Sequence, residues 1–289
     1  MTKIREVVLK GIGMVGLLVL SWGCTSVGTH MTMTDPIETL LAKGEQEFGQ
    51  GQGSESLQTF SRAIELAPDR AEAWNARGFV YSRQHQAVDA IEDFKSAVRL
   101  DPKPVYLNNL GVAYLEQSKP SDALMAFDEA VRLSPNVPLF LVHRALAYRH
   151  LDKLNEAAGD LGRALELDDR NVVAYANRAV IYALQQNYEE AKRDLDHAAR
   201  LDSGLKEVYE SRALIQLLTG HPDLAVNDFS RAIVLGASDT LIYHNRAVAY
   251  GLLGKTRNAE KDYARACGRG FAPACSASRL LVMASNPSR

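Results

Sequence analysis

The sequence predicts an all-α protein, a solenoid of stacked helix pairs, on three observations. One pattern of about 34 residues recurs six to seven times from residue 37 to the C-terminus. Alanine is abundant and alternating β-branched runs are scarce, which favours helix. Small residues and aromatics return at fixed places in each copy, as Gly78, Tyr81, Ala90 and Phe94 do in the clearest one. A unit of this size cannot bury a core alone, so units stack and present a long surface. That points to binding rather than chemistry.

The first 23 residues read as an export signal. Lys3, Arg5 and Lys10 make a basic start interrupted by Glu6, and Gly11 to Trp22 is uncharged and mostly apolar. Twelve such residues fit a secretory segment better than a bilayer span. The ending Leu20-Ser21-Trp22-Gly23-Cys24 resembles a bacterial lipoprotein lipobox, with Ser21 and Trp22 where that pattern has Leu and a small residue. The resemblance implies lipid on Cys24; plain secretion and an uncleaved anchor are the alternatives. Thr25 after the cysteine resembles the outer-membrane sorting pattern of enterobacterial lipoproteins. Residues 24–36, with the lipidated cysteine, form a tether rich in Thr, Met and Ser, and Asp35-Pro36 has the form of an N-cap followed by proline at the first helical position.

The repeats then run in register. Residues 37–70 form a degenerate first copy, with Lys43 and Glu47 at normally apolar places, suited to a solvent-facing cap. The run Gly49-Gln50-Gly51-Gln52-Gly53 suggests a loose connection between its two helices. Six further copies fill residues 71–271. Their eighth residue is Gly or Ala and their twentieth is Ala, where helices approach closely. An aromatic at the eleventh place, replaced by Gln216 in one copy, and Phe, Leu or Tyr at the twenty-fourth fill the space left. Proline near the unit's end stops the second helix. Residues 272–289 read as a capping helix and a frayed tail.

The set Trp74–Arg77–Gly78–Tyr81–Ala90–Phe94–Ala97–Pro102 and its copies resemble the tetratricopeptide repeat (TPR). The resemblance implies two antiparallel helices per repeat, wound into a right-handed superhelix with a concave groove lined mainly by the first helices.

Comparison among the copies reveals a coupled pair. Arg77, Arg144, Arg178, Arg212 and Arg246 hold the seventh place, and Asp93, Asp160, Asp194, Asp228 and Asp262 follow sixteen residues later. The third copy loses both, with Leu110 and Ala126. An Arg–Asp pair between the helices of each repeat is expected, setting their register.

The groove is expected at the sixth and ninth places. The sixth row reads Ala76, Asn109, His143, Asn177, Ser211 and Asn245, with Asn75 and Asn108 one place earlier. The ninth row reads Phe79, Val112, Leu146, Val180, Leu214 and Val248. Amides offer both donor and acceptor to an extended peptide backbone while the apolar stripe takes its side chains. Three of the asparagines resemble the ladder of O-GlcNAc transferase TPRs, here broken by Ala76, His143 and Ser211. Cations are too sparse in the row for a carboxylate clamp of the kind in chaperone-binding TPR proteins.

Signals of chemistry are weak. Gly11-Ile12-Gly13-Met14-Val15-Gly16 matches a dinucleotide fingerprint but lies in the export segment with no βαβ unit around it. Gly251 to Thr256 echoes a phosphate loop, yet Ala249 replaces its first glycine. His143 and His150 could share a helix face but have no further ligands for a metal. No HExxH or GxSxG occurs. The expectation is a non-enzyme with no cofactor and no metal. Net charge is −2 without long like-charge runs, so no nucleic-acid footprint is expected. Cys267 and Cys275 can pair in an oxidising compartment or stay reduced in the cytosol. The segment from Ala266 to Cys275 resembles Sel1-like repeats, which implies a Cys267–Cys275 disulfide joining the last repeat to the closing helix.

Together these readings predict an exported scaffold, tethered to the bacterial envelope through Cys24, that binds a protein or an extended peptide. The alternative is a structural subunit of an envelope machine of the pilus or secretin assembly type.

Overall fold

A computed structural model describes residues 35–277 of the chain. The export segment, Cys24, all but the end of the tether and residues 278–289 of the expected cap lie outside the described residues. The described chain is helical throughout, and no strand occurs among these residues. It divides into two compact units, residues 35–167 and 168–277.

In the first unit the helices are α1 (Pro36–Gly49), α2 (Gly53–Leu66), α3 (Ala71–Arg83), α4 (Ala87–Leu100), α5 (Pro104–Glu116), α6 (Pro120–Leu133), α7 (Pro138–His150) and α8 (Leu154–Leu167). In the second they are α9 (Val172–Leu184), α10 (Tyr188–Leu201), α11 (Lys206–Leu218), α12 (Pro222–Val234), α13 (Thr240–Leu252) and α14 (Thr256–Gly268), followed by helical residues 272–277. Within each unit a helix packs most closely on its pair-mate, then on the next pair, and first helices of successive pairs also touch.

The local rules behind this order are simple. The Asp35 carboxylate accepts from the Ile37 amide at 3.0 Å, and Asn171 accepts from Ala174 at 2.9 Å, capping α1 and α9. Pro36, Pro104, Pro120, Pro138 and Pro222 open helices where an amide hydrogen would be unsatisfied. Each within-pair turn is pinned by a backbone bond to the eleventh-place carbonyl, as from Gln86 to Tyr81 at 2.9 Å and from His221 to Gln216 at 2.8 Å. In the latter turn Gly220 holds φ +81°, a conformation glycine adopts without steric cost.

The same bond corrects one expectation. Gln52 donates to Glu47 at 2.9 Å, so the glycine-rich link between α1 and α2 is a closed turn rather than a loose one. Glycine abundance does not weaken a turn whose backbone donors are satisfied.

Small residues let the paired helices meet. A Cβ on Gly111 would lie 2.5 Å from Phe127 Cε1, and one on Gly44 would lie 2.6 Å from Phe60 Cε1. Ala145, Ala179, Ala213 and Ala247 hold the same place in later copies, beside Leu161, Leu195, Phe229 and Tyr263 at the twenty-fourth place. Larger residues there would overpack the joint.

Candidate partner-binding site

The scaffold beneath the site is tied by guanidinium clamps. Arg77, Arg144, Arg178, Arg212 and Arg246 each donate through Nε and Nη2 to both oxygens of Asp93, Asp160, Asp194, Asp228 and Asp262, at 2.7–2.9 Å. Two parallel bonds fix angle as well as distance. A third donor, Nη1, extends the clamp to the preceding second helix. It reaches Ser61 from Arg77, Asp128 from Arg144, Asp196 from Arg212 and Ser230 from Arg246, at 2.8–3.0 Å. The guanidiniums also lie over tyrosine or tryptophan rings, with Arg178 between Tyr175 and Tyr182 at 5.7 Å from each. In the Arg77 clamp, burial pushes the Asp93 carboxyl above its usual range despite the pull of Arg77, so there the pair acts more as a register device than as a net stabiliser. In the first copy, where the pair is absent, Thr59 donates to Glu47 at 2.6 Å across α1 and α2, and Lys43 lies 3.5 Å from the same carboxylate.

The expected open row is not where the structure leaves open surface. Asn108, Asn109, His143, Asn177, Ser211 and Asn245 are buried, as are Val112, Leu146, Val180 and Leu214. Only Asn75, Ala76, Phe79 and Val248 of those two rows are half-buried. In the first unit the physical reason is that successive first helices interlock through two pairs of these side chains. Asn109 Nδ2 donates to Asn75 Oδ1 at 3.0 Å, and His143 Nδ1 meets Asn108 Oδ1 at 2.7 Å. Asn177 Nδ2 instead donates to the Val173 carbonyl of its own helix at 2.9 Å. Burial lowers the His143 pKa to about 4, which keeps the ring neutral; its Nδ1–H then donates to the Asn108 oxygen. His150 is exposed, and no group of metal-ligating residues occurs among the described residues.

What remains accessible on the first helices is a face that includes Asn75 and Phe79 in the first unit. Phe79 stands edge-on to Phe48 of α1 with ring centroids 5.3 Å apart. In the second unit the accessible face carries half-buried Glu207, Leu218 and Val248 and exposed Leu252. Glu210 lies one turn along α11 from Glu207, on the same side. It is 9% exposed, and burial beside Asp239 and Glu207 raises its carboxyl pKa to about 7. Sequence reading passed over this residue, although it is the one carboxylate at a fifth place otherwise occupied by Asn75, Asn108, Val142, Ala176 and His244.

The far end of the second unit is covalently closed. Cys267 and Cys275 form a disulfide with Cα atoms 4.7 Å apart, joining α14 to residues 272–277. Phe271 in the intervening turn lies against His244, ring centroids 5.0 Å apart, and Ala274 is fully buried.

Helix pairs of fixed period, held by one clamp repeated along the chain, define a helical-repeat solenoid. The chain belongs to the tetratricopeptide repeat family, whose models match residues 71–104, 108–172, 172–204 and 241–269. It is similar in fold to a tetratricopeptide repeat protein from Parabacteroides merdae, at 20% identity and a TM-score of 0.69 over 85% of this chain and 98% of that one. It is also similar to Pseudomonas aeruginosa PilF, at 18% identity and a TM-score of 0.62 over 72% of this chain and 94% of that one. A third likeness is to YrrB, a TPR protein with an unusual peptide-binding site, at 18% identity and a TM-score of 0.50 over 64% of this chain and 96% of that one. The chain matches none of the curated proteins with which it was compared.

Proposed function

We propose that this chain is a scaffold that binds a protein or an extended peptide on the accessible face of its first helices. The observation that carries this reading is how the side chains are allocated. The repeated arginines and aspartates are consumed in holding the helix pairs together, while Asn75 and Phe79 stay accessible on a face of the first helices in the first unit, and Glu207 and Val248 on one in the second. Such a face suits a ligand that reads several helices at once. The fold likeness to YrrB, a TPR protein with an unusual peptide-binding site, is consistent with it.

Val180, only 1% exposed, is unsuited to a crosslinking probe. A photo-reactive residue at Phe79 or Val248 is suited, with Met125, 73% exposed on α6, as the control position. Partner adducts are expected from both probes and not from the control. Equal adducts at all three positions, or none, would reject the reading.

We extend the proposal to an envelope location, with Cys24 as the lipid-bearing residue. The basic-then-apolar opening of the chain and the Cys267–Cys275 disulfide support export. Cells fed labelled palmitate should label the protein, and Cys24→Ser should remove the label. Retention of label in that variant would place lipid elsewhere and defeat the assignment.

A further inference from the structure

Six carboxylates are buried among the described residues: Asp93, Asp160, Asp194, Glu210, Asp228 and Asp262. The five aspartates each receive two bonds from a guanidinium. Glu210 receives none, and no ion pair or hydrogen bond to its side chain occurs among the described residues. Most of the Glu210 side chain is buried while its oxygens still reach solvent, so the carboxylate loses part of its hydration without gaining a partner.

The surroundings deepen the deficit. The charges acting on Glu210 are Glu207 and Lys206 on its own helix and Asp239 just before α13; α9, α10 and α12 contribute none among the described residues. That is three carboxylates against one ammonium. Glu207 is half-buried and Asp239 is exposed, so the acidic group opens toward solvent. Asp239 does not spend its side chain on capping α13. The copies also argue against a structural role shared along the solenoid, since no other repeat places a carboxylate at the fifth position.

We propose that Glu210, rimmed by Glu207 and Asp239, is a subsite for the cationic side chain, lysine or arginine, of a bound protein segment. This deepens the scaffold reading and rests on it. An incoming ammonium or guanidinium would supply the charge that arginine supplies to each buried aspartate. Its binding would hold Glu210 ionised.

The test follows the Glu210 carboxyl carbon by NMR across pH 4 to 9 in the full chain. The probes are the blocked peptide Gly-Ala-Lys-Ala-Gly, its norleucine counterpart and spermidine. The lysine peptide should lower the titration midpoint and the norleucine peptide should not. Affinity for the lysine peptide should be on the order of tenfold tighter at pH 8 than at pH 5.5, and Glu210→Gln should abolish that pH dependence. An unmoved midpoint with the lysine peptide overturns the proposal. A midpoint moved by spermidine alone also overturns it, by assigning the site to a free amine. The outcomes separate from those of the scaffold reading. Adducts at Phe79 and Val248 with an unresponsive Glu210 sink only the subsite. A responsive Glu210 without partner adducts sinks only the scaffold.

Discussion

Asp194→Ala should destabilise the second unit by about 3–5 kcal/mol, because it leaves the Arg178 guanidinium half-buried between two tyrosine rings with no carboxylate beside it. Asp228→Ala should cost less. Arg212, its partner, keeps Asp196 at 2.8 Å on its third donor, so part of the charge stays compensated. Replacing both members of the Arg178–Asp194 pair, with methionine and leucine, should recover most of the loss and could exceed wild-type stability, since a buried pair is costly to desolvate. Urea unfolding, with hydrogen exchange of the α9 and α10 amides as the local readout, measures the four corners of the cycle. Additive effects, with no coupling energy between Arg178 and Asp194, would show that the clamp does not act as a unit.

That pair was legible in the sequence for a specific reason. The copies serve as an internal alignment, and Arg and Asp vanish together at Leu110 and Ala126. The small-to-large joints, such as Gly111 on Phe127, were legible by the same comparison. The accessible face was not. A repeat position states which side of a helix a residue occupies, but not how near the neighbouring first helix comes. Asn109 and His143 are buried because they bond to Asn75 and Asn108 across that gap. The link from Gly49 to Gly53 was misread because composition reports conformational freedom and not the backbone bonds that remove it. Residues shared among copies stand out, and exceptions hide. Glu210 is such an exception, and only its burial marks it.

Glu210→Gln should stabilise the second unit at pH 8 and leave it unchanged at pH 4. At pH 4 the glutamate is protonated in the folded and unfolded chain alike, so glutamine loses nothing by comparison. As pH rises past the ordinary value near 4.5, the unfolded chain ionises while the folded chain holds its proton until about 7. The unfolded state then binds fewer protons than the native one, and stability falls through this window. The slope is opposite to that of a carboxylate whose cationic partner outweighs its burial. The full difference is on the order of 3 kcal/mol, from the distance between the two titration points. Wild type should therefore lose protection in α11 and α13 between pH 4.5 and 7 relative to Glu210→Gln, and the two should run parallel above that window. Glu116 and Asp93 are also raised, but both lie in the first unit and are common to the two proteins, so they cancel in the comparison. Superimposable profiles across pH 4.5 to 7 would mean that the Glu210 carboxylate is solvated in the folded chain, and its deficit of charge would then need no cation from a partner.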